Sequence, residues 1–259
     1  MSYIIYTTCF GNEFKSLKYH WTKKINKICK KNEDVIVEEF DTNPYFNSFG
    51  YTYGWLDNIR LEKIIEICKN KNKPVIQIDL DIIVEKEIDD LVNLPYDFII
   101  STEIGGNKSF PKECSEKLGF GLCCGFYIVK PESINFMSNI LKNMKNKTYN
   151  CINDQETLMN YITSNNYKVY DDECILNNIK FKNKIIEIDD IKICVLDFDI
   201  ITRDPIITKN QYANHINICN VGGSANFIKY FYEPLENLPL TCRCGKTHLG
   251  DYNICTHTR

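Results

Sequence analysis

The stretch Val75-Ile76-Gln77-Ile78-Asp79-Leu80-Asp81-Ile82-Ile83-Val84 decides how this chain is read. Apolar residues on both sides of a carboxylate pair mark a strand covered on both faces, as in a parallel sheet packed between helices. Asp79 and Asp81 stand where that strand ends. In an open α/β sheet, ligands bind beyond the carboxyl ends of the strands. Ionised carboxylates are costly to bury unless they are paired or bound to a metal. A divalent cation bridging to a diphosphate meets that cost, and hard oxygen ligands suit Mg2+ or Mn2+. Asp-x-Asp alone is a common tripeptide, and a strand end turning into solvent also explains it. The apolar flanks are what favour the metal.

Outward from this stretch, strands and helices alternate. Residues 2–8 are an apolar, β-branched run, a first strand broken by Gly11-Asn12. Phe14, Leu17, Trp21, Ile25 and Ile28 recur at steps of three or four, which predicts an amphipathic helix. Residues 35–40 read as a second strand and 41–54 as a loop rich in Tyr, Phe, Asn and Gly. Residues 55–70 read as a helix with Leu56, Ile59, Ile64, Ile67 and Cys68 inward. After the central strand, 75–80, the pattern predicts strands over 97–102 and 121–129, with a polar loop over 103–118 between them. Helices follow over 133–145 and 154–165, then short strands over 168–170, 185–188 and 191–196. The early alternation implies a parallel, doubly wound sheet, and the later strands imply mixed or antiparallel additions. The expected fold is α/β: a Rossmann-like mixed central sheet flanked by helices, one domain over 1–238. A small Cys/His-rich extension occupies 239–259.

Composition sets limits. The 259 residues are 44% hydrophobic and 25% charged, an ordinary globular balance. A net charge of −3 gives no broad basic field, which argues against nucleic acid as a partner. The abundance of Lys, Asn and Ile reads as the coding bias of an AT-rich genome. No window approaches the ~18 apolar residues of a membrane helix. Met1-Ser2-Tyr3-Ile4-Ile5-Tyr6 lacks the basic-then-apolar pattern of a signal peptide, so a cytoplasmic location is expected. Thirteen cysteines cannot all pair within one chain, and those in predicted core elements read as small buried hydrophobes. In the extension, Cys242, Cys244, His248, Cys255 and His257 offer soft ligands for zinc, although the one-residue gap departs from the usual pairing.

Residues 75–84 resemble the Asp-x-Asp strand of GT-A glycosyltransferases, and other segments join that resemblance in order. Gly119-Phe120-Gly121-Leu122-Cys123-Cys124-Gly125-Phe126-Tyr127-Ile128-Val129-Lys130-Pro131 is similar to the strand that floors the donor-sugar site, with Gly125 where a ligand approaches the backbone. Asn153-Asp154-Gln155-Glu156 resembles the Asp-Gln pair of retaining family 8 and family 77 enzymes. His215, in Asn214-His215-Ile216-Asn217, resembles the third metal ligand of family 8 enzymes. Gly222-Gly223 and Lys229 resemble the turn and lysine that cover the diphosphate, although the spacing is longer and no Pro-Trp follows. Arg60 and Lys63 resemble basic positions near the nucleotide phosphates. Thr7 and Thr8 lie where the family contacts base and ribose.

The resemblance covers most of residues 1–232 and implies a specific reaction. Asp79, Asp81 and His215 would bind Mn2+ or Mg2+. The donor would be a nucleotide sugar, a UDP-sugar ahead of a GDP-sugar. The acceptor would be a hydroxyl of a glycan, protein or lipid. Transfer would retain configuration, with Asp154 supporting developing oxocarbenium charge and Gln155 on the reacting face. Inverting relatives need a general base instead, and Asp154 or Glu156 could serve. An aromatic loop from Tyr45 to Trp55 could close over the donor.

Each residue also has a plainer role. Asp154 can be a helix cap, Arg60 and Lys63 solvated helix charges, and His215 a satisfied loop histidine. The alternative functions are a nucleotidyltransferase-like protein or a non-catalytic sugar-nucleotide-binding α/β protein. Thr7-Thr8-Cys9-Phe10-Gly11 is too poor in glycine for a nucleotidyltransferase phosphate loop, and the intact Asp-x-Asp argues against a degenerate binder.

Overall fold

The structure, a computed structural model, describes residues 1–10, 14–40, 49–103, 111–146, 154–203, 211–216, 227, 232, 239–241 and 247–249. The first half runs β1 (Tyr3–Phe10), α1 (Lys15–Ile28), β2 (Asn32–Phe40), α2 (Phe49–Lys71), β3 (Val75–Ile78), β4 (Ile82–Val84) and α3 (Asp89–Val92). It continues through β5 (Phe98–Glu103), α4 (Lys112–Leu118), β6 (Gly121–Val129), α5 (Ile134–Asn146) and α6 (Asp154–Ser164). The remaining strands are β7 (Lys168–Leu176), β8 (Ile179–Ile188), β9 (Ile191–Val195), β10 (Ile201–Arg203), β11 (Ala213–His215), β12 (Pro239–Thr241) and β13 (Thr247–Leu249).

Eight strands form one mixed sheet in the order β2-β1-β3-β6-β5-β9-β8-β7. β1 pairs in parallel with β2 and β3, as the strand–helix alternation requires. The direction reverses at β6, which is antiparallel to both β3 and β5. The neighbouring inner strands β3 and β6 are buried along their whole length, which is why they read as continuous apolar runs.

Helices cover both faces. Strand β1 alternates, sending Tyr3, Ile5 and Cys9 into a layer with Leu17, Trp21 and Ile25 of α1. Tyr6 goes to the opposite layer, with Leu61, Ile64 and Cys68 of α2, Phe136 and Ile140 of α5, and Leu158 and Ile162 of α6. Burying each large apolar side chain stabilises the fold by about 1.5–3 kcal/mol, so these two layers carry it. The expected α/β architecture is thus what the chain adopts.

Several elements differ from the reading of the sequence. The motif 79–81 is a tight turn in which Ile82 N–H donates to Asp79 C=O at 3.0 Å. The second apolar run, β4, therefore leaves the main sheet and joins a small sheet of order β10-β11-β4. Helix α2 begins at Phe49, six residues before the expected start, so only residues 45–48 of the proposed aromatic loop remain, and these lie outside the described residues. Part of the expected loop 103–118 is helix α4, whose Cys114, Ser115 and Leu118 are buried. Gly119, at φ 81, ends it, in the left-handed region that glycine enters without strain.

The expected short strands 168–170 and 185–188 belong to a long hairpin, β7–β8. Asn177 and Asn178 join its strands, both at positive φ, a turn whose twist matches that of the strands. Most of β7 is exposed, so no apolar alternation announced it. Lys180, Lys182 and Lys184 of β8 pair instead with Glu173 and Asp171 of β7.

β12 and β13 form an antiparallel pair within the predicted extension. Cys242, Cys244, Cys255 and His257 of the suggested zinc cluster lie outside the described residues, and of His248 only the backbone is described. No described helix is long and apolar enough to cross a membrane.

Candidate metal and active site

The site forms where β3 ends, beside β6 and the small sheet. Asp79 N–H donates to Gly125 C=O at 2.9 Å, and Ile216 N–H donates to Asp81 C=O at 2.9 Å. These two bonds pin the turn between β6 and the segment that follows β11. Register does the rest: His215 pairs with Ile82, the residue after Asp81. His215 Nε2 consequently lies 3.3 Å from Asp81 Oδ1. One ligand atom each from Asp79, Asp81 and His215 falls within 4.8 Å of the others, a donor set of carboxylate oxygens and imidazole nitrogen. That set suits a divalent cation of the Mn2+ or Mg2+ kind.

Glycine at 125 makes the cluster sterically feasible. A β-carbon there would stand 2.7 Å from His215 Cε1, 2.9 Å from its Nδ1 and 3.2 Å from Asp79 Oδ2. The two oxygens of Asp79 have different surroundings. Oδ1 accepts from Arg60 Nη1 at 3.1 Å and from Gln77 Nε2 at 2.6 Å, whereas Oδ2 faces Gly125. Asp79 is therefore held with Oδ1 occupied by two donors and Oδ2 turned to the Gly125 side, where it could serve a cation.

Arg60 binds three carboxylates. Nη1 takes Asp79, and Nη2 reaches Asp57 Oδ1 at 2.8 Å and Asp154 Oδ2 at 2.5 Å. Arg60, Asp57 and Asp154 are buried, whereas the Asp79 side chain is 32% exposed and brings the network to the surface of the site. Burial pulls the guanidinium down, but the three carboxylates hold it well above its ordinary value. Burial pushes the Asp57 carboxyl up to about 8, with Asp154 adding to the shift and Arg60 opposing it. Burial likewise raises Asp79 to about 6 against the pull of Arg60. Burial lowers His215, but Asp81 and Cys123 raise it well above the usual imidazole value. Asp79 and His215 are both shifted upward, so a cation held there would compete with protons.

Asp154 opens α6, and its Oδ1 accepts from Gln155 N–H at 2.7 Å. Gln155 lies over β6: Oε1 accepts from Cys124 N–H at 3.4 Å, and Nε2 donates to Glu103 Oε2 at 3.0 Å. Glu103 also accepts from Arg203 Nη1 at 2.7 Å. Cys123 Sγ lies 3.5 Å from His215 Nδ1. Burial pushes that thiol up, but His215 and Arg203 bring it below its ordinary value on balance.

Of the residues singled out in the sequence, the structure brings together Arg60, Asp79, Asp81, Gly125, Asp154, Gln155 and His215. Thr7 is buried, and its hydroxyl has no hydrogen-bond partner among the described residues; Thr8 is partly buried. Lys63 is exposed and pairs with Glu66 at 3.0 Å. Lys229 and Gly222-Gly223 lie outside the described residues.

Sequence reasoning missed Gln77, Asp57, Glu103, Arg203 and the contact of Cys123 with His215. Gln77 carried a signal, as a polar side chain inside an otherwise apolar buried strand. Asp57 carried a weaker one, three residues before Arg60 on the same helix.

No protein-family model matches the sequence, and no curated protein matches it. Solved structures do. The chain is similar to a glycosyltransferase involved in the glycosylation of the major capsid of PBCV-1, with a TM-score of 0.58 at 13% identity. The match covers 89% of this chain and 98% of that one. Weaker matches are mouse xyloside xylosyltransferase 1 in its apo form and the apo-form glycosyltransferase GlyE of Streptococcus pneumoniae TIGR4. The former has a TM-score of 0.48 at 13% identity, covering 85% of this chain and 99% of that one. The latter has 0.37 at 10%, covering 62% and 43%. Those two are too loosely similar to support a structural argument. At 13% identity the first match concerns architecture, and the architecture is a GT-A-like glycosyltransferase fold.

Proposed function

We propose that this protein is a metal-dependent glycosyltransferase that moves a sugar from a nucleoside-diphosphate sugar, UDP-linked ahead of GDP-linked, to an acceptor hydroxyl with retention of configuration. The observation that carries the reading is the Asp79, Asp81 and His215 cluster at the end of the central strand of a glycosyltransferase fold. When bound there, Mn2+ or Mg2+ would supply a positive charge for the diphosphate as it leaves. The protein's own residues do the rest. Gly125 leaves room for the His215 ring and so for the cluster, and on the sequence resemblance the donor sugar would lie along β6 beside it. Arg60 fixes Asp79 and Asp154 relative to one another. Asp154 supplies negative charge for an oxocarbenium-like transition state, and Gln155 reaches from α6 over β6 on the reacting face.

Thr7 and Thr8 stand at the carboxyl-terminal part of β1 for the nucleotide, and the unpartnered Thr7 hydroxyl is consistent with a polar ligand there. Lys63 and Lys229 remain candidate cations for the diphosphate on the sequence resemblance alone. The acceptor is a glycan, a protein or a lipid. A cytoplasmic location and the division into domain and extension stay part of this proposal.

The deciding measurement is a panel of nucleotide sugars with Mn2+, read out as released nucleoside diphosphate. At least one donor should turn over, and Asp79→Asn or Asp81→Asn should abolish the metal-dependent signal in folded protein. A panel with neither turnover nor donor binding would reject the enzyme reading. Unchanged turnover in both variants would reject the metal assignment.

A further inference from the structure

Strand β6 is irregular where it passes the cluster. Against β5 its register runs Ile100↔Tyr127 and then Ser101↔Cys123, so Cys124, Gly125 and Phe126 have no counterpart. Extra residues of this kind bend a strand and re-aim its side chains. The effect shows in the layers. Leu122, Cys124, Tyr127 and Val129 face α2, α5 and α6, whereas Phe126 faces the opposite layer. The same irregularity presents two neighbours to one imidazole. Gly125 lies against the His215 ring, and Cys123, 4% exposed, sets its sulfur 3.5 Å from Nδ1.

The two nitrogens of His215 are thereby divided. Nε2 is 3.3 Å from Asp81 Oδ1, on the side of the ligand cluster. Nδ1 is beside sulfur. An imidazole that binds a metal through one nitrogen donates its other N–H to a fixed acceptor, which sets the tautomer and the ring orientation. A thiol suits that place. Its sulfur is a weak acceptor that tolerates burial. The sulfur is not among the ligand atoms gathered within 4.8 Å.

We propose that Cys123 is a positioning residue of the metal site: its sulfur accepts the Nδ1–H of His215, so that the Nε2 lone pair is turned towards the carboxylates of Asp79 and Asp81. This rests on the metal reading given above. Packing alone would give Cys123 a different signature, because loss of a buried thiol then lowers stability and leaves the imidazole tautomer and the cation affinity unchanged.

The test uses the full chain loaded with Mn2+ for calorimetry and with Co2+ for proton NMR. Wild-type protein should bind Mn2+ and, as the Co2+ form, show a hyperfine-shifted, solvent-exchangeable Nδ1–H resonance that His215→Ala removes. Cys123→Ala should weaken Mn2+ binding roughly 10- to 100-fold, the range for losing such a partner, and should shift or broaden that resonance. Cys123→Ser, which restores an acceptor, should recover most of both. Cys194→Ala removes a fully buried thiol on β9 and should lower the melting temperature with Mn2+ affinity unchanged. Wild-type protein that binds no divalent cation overturns the metal site, and this role with it. Wild-type protein that binds Mn2+ no better than Cys123→Ala, with the same resonance in both, overturns the role of Cys123 alone.

Discussion

The imidazole of His215 rests on the α-carbon of Gly125, so close that a β-carbon would stand 2.7 Å from Cε1. Gly125 is not at positive φ, so its backbone accepts alanine without strain. What must move is the ring. Gly125→Ala should therefore leave the far-ultraviolet circular dichroism unchanged and weaken Mn2+ binding by about tenfold or more, on the scale of losing a ligand's orientation. Calorimetry on the purified variant checks this. Wild-type affinity would mean that His215 does not ligate.

Arg60 offers the sharpest stability prediction. Removing the shared partner of buried carboxylates leaves charge uncompensated, which costs about 3–5 kcal/mol. Arg60→Met should lose stability on that scale in urea unfolding. Arg60→Lys should also lose stability, because a single ammonium cannot reproduce the fork that spans Asp57, Asp79 and Asp154. A loss below about 1 kcal/mol in Arg60→Met, the range of exposed ion pairs, would show that the network is not ionic.

Asp57 predicts how stability varies with pH in the metal-free protein. Its carboxyl is raised from an ordinary 3.8 to about 8 in the folded chain. Between those values the folded state keeps a proton that the unfolded state has lost. Stability from this group is therefore complete below about pH 4 and declines as pH rises towards 8, by at most about 1.4 kcal/mol per pH unit. Asp57→Asn should flatten that slope in urea unfolding series at pH 5, 6, 7 and 8. An equally steep decline in the variant would place the proton elsewhere.

The parts of the site that could be read from sequence were those with a local physical mark. Asp79 and Asp81 interrupt an apolar run, and nothing else about a buried strand calls for paired carboxylates. His215 had no such mark and was reached only through the family resemblance. It lies 134 positions beyond Asp81 on a three-residue strand, and only the pairing of β11 with β4 makes them neighbours. Gln77 was visible as a letter but not as a role, because its partner is an oxygen of Asp79 that two donors share. The same limit governs the fold. Strands covered on both faces announced themselves, whereas β7 is exposed over most of its length and is held by cross-strand ion pairs and an Asn-Asn turn. Helix α4 was lost because its seven residues are too few to establish a period.

The clamp at Arg60 ties α2 to residue 154, and the cluster waits for residue 215. These are closures of long loops, and such contacts form late because chain entropy must be lost before they reward it. Synthesis delivers the segments in order, so Asp79 and Asp81 emerge long before the imidazole that completes their set. A nascent chain ending short of β11 would carry two neighbouring carboxylates with no third ligand. On the proposed metal reading, the complete set of three ligands exists only once β11 has paired with β4.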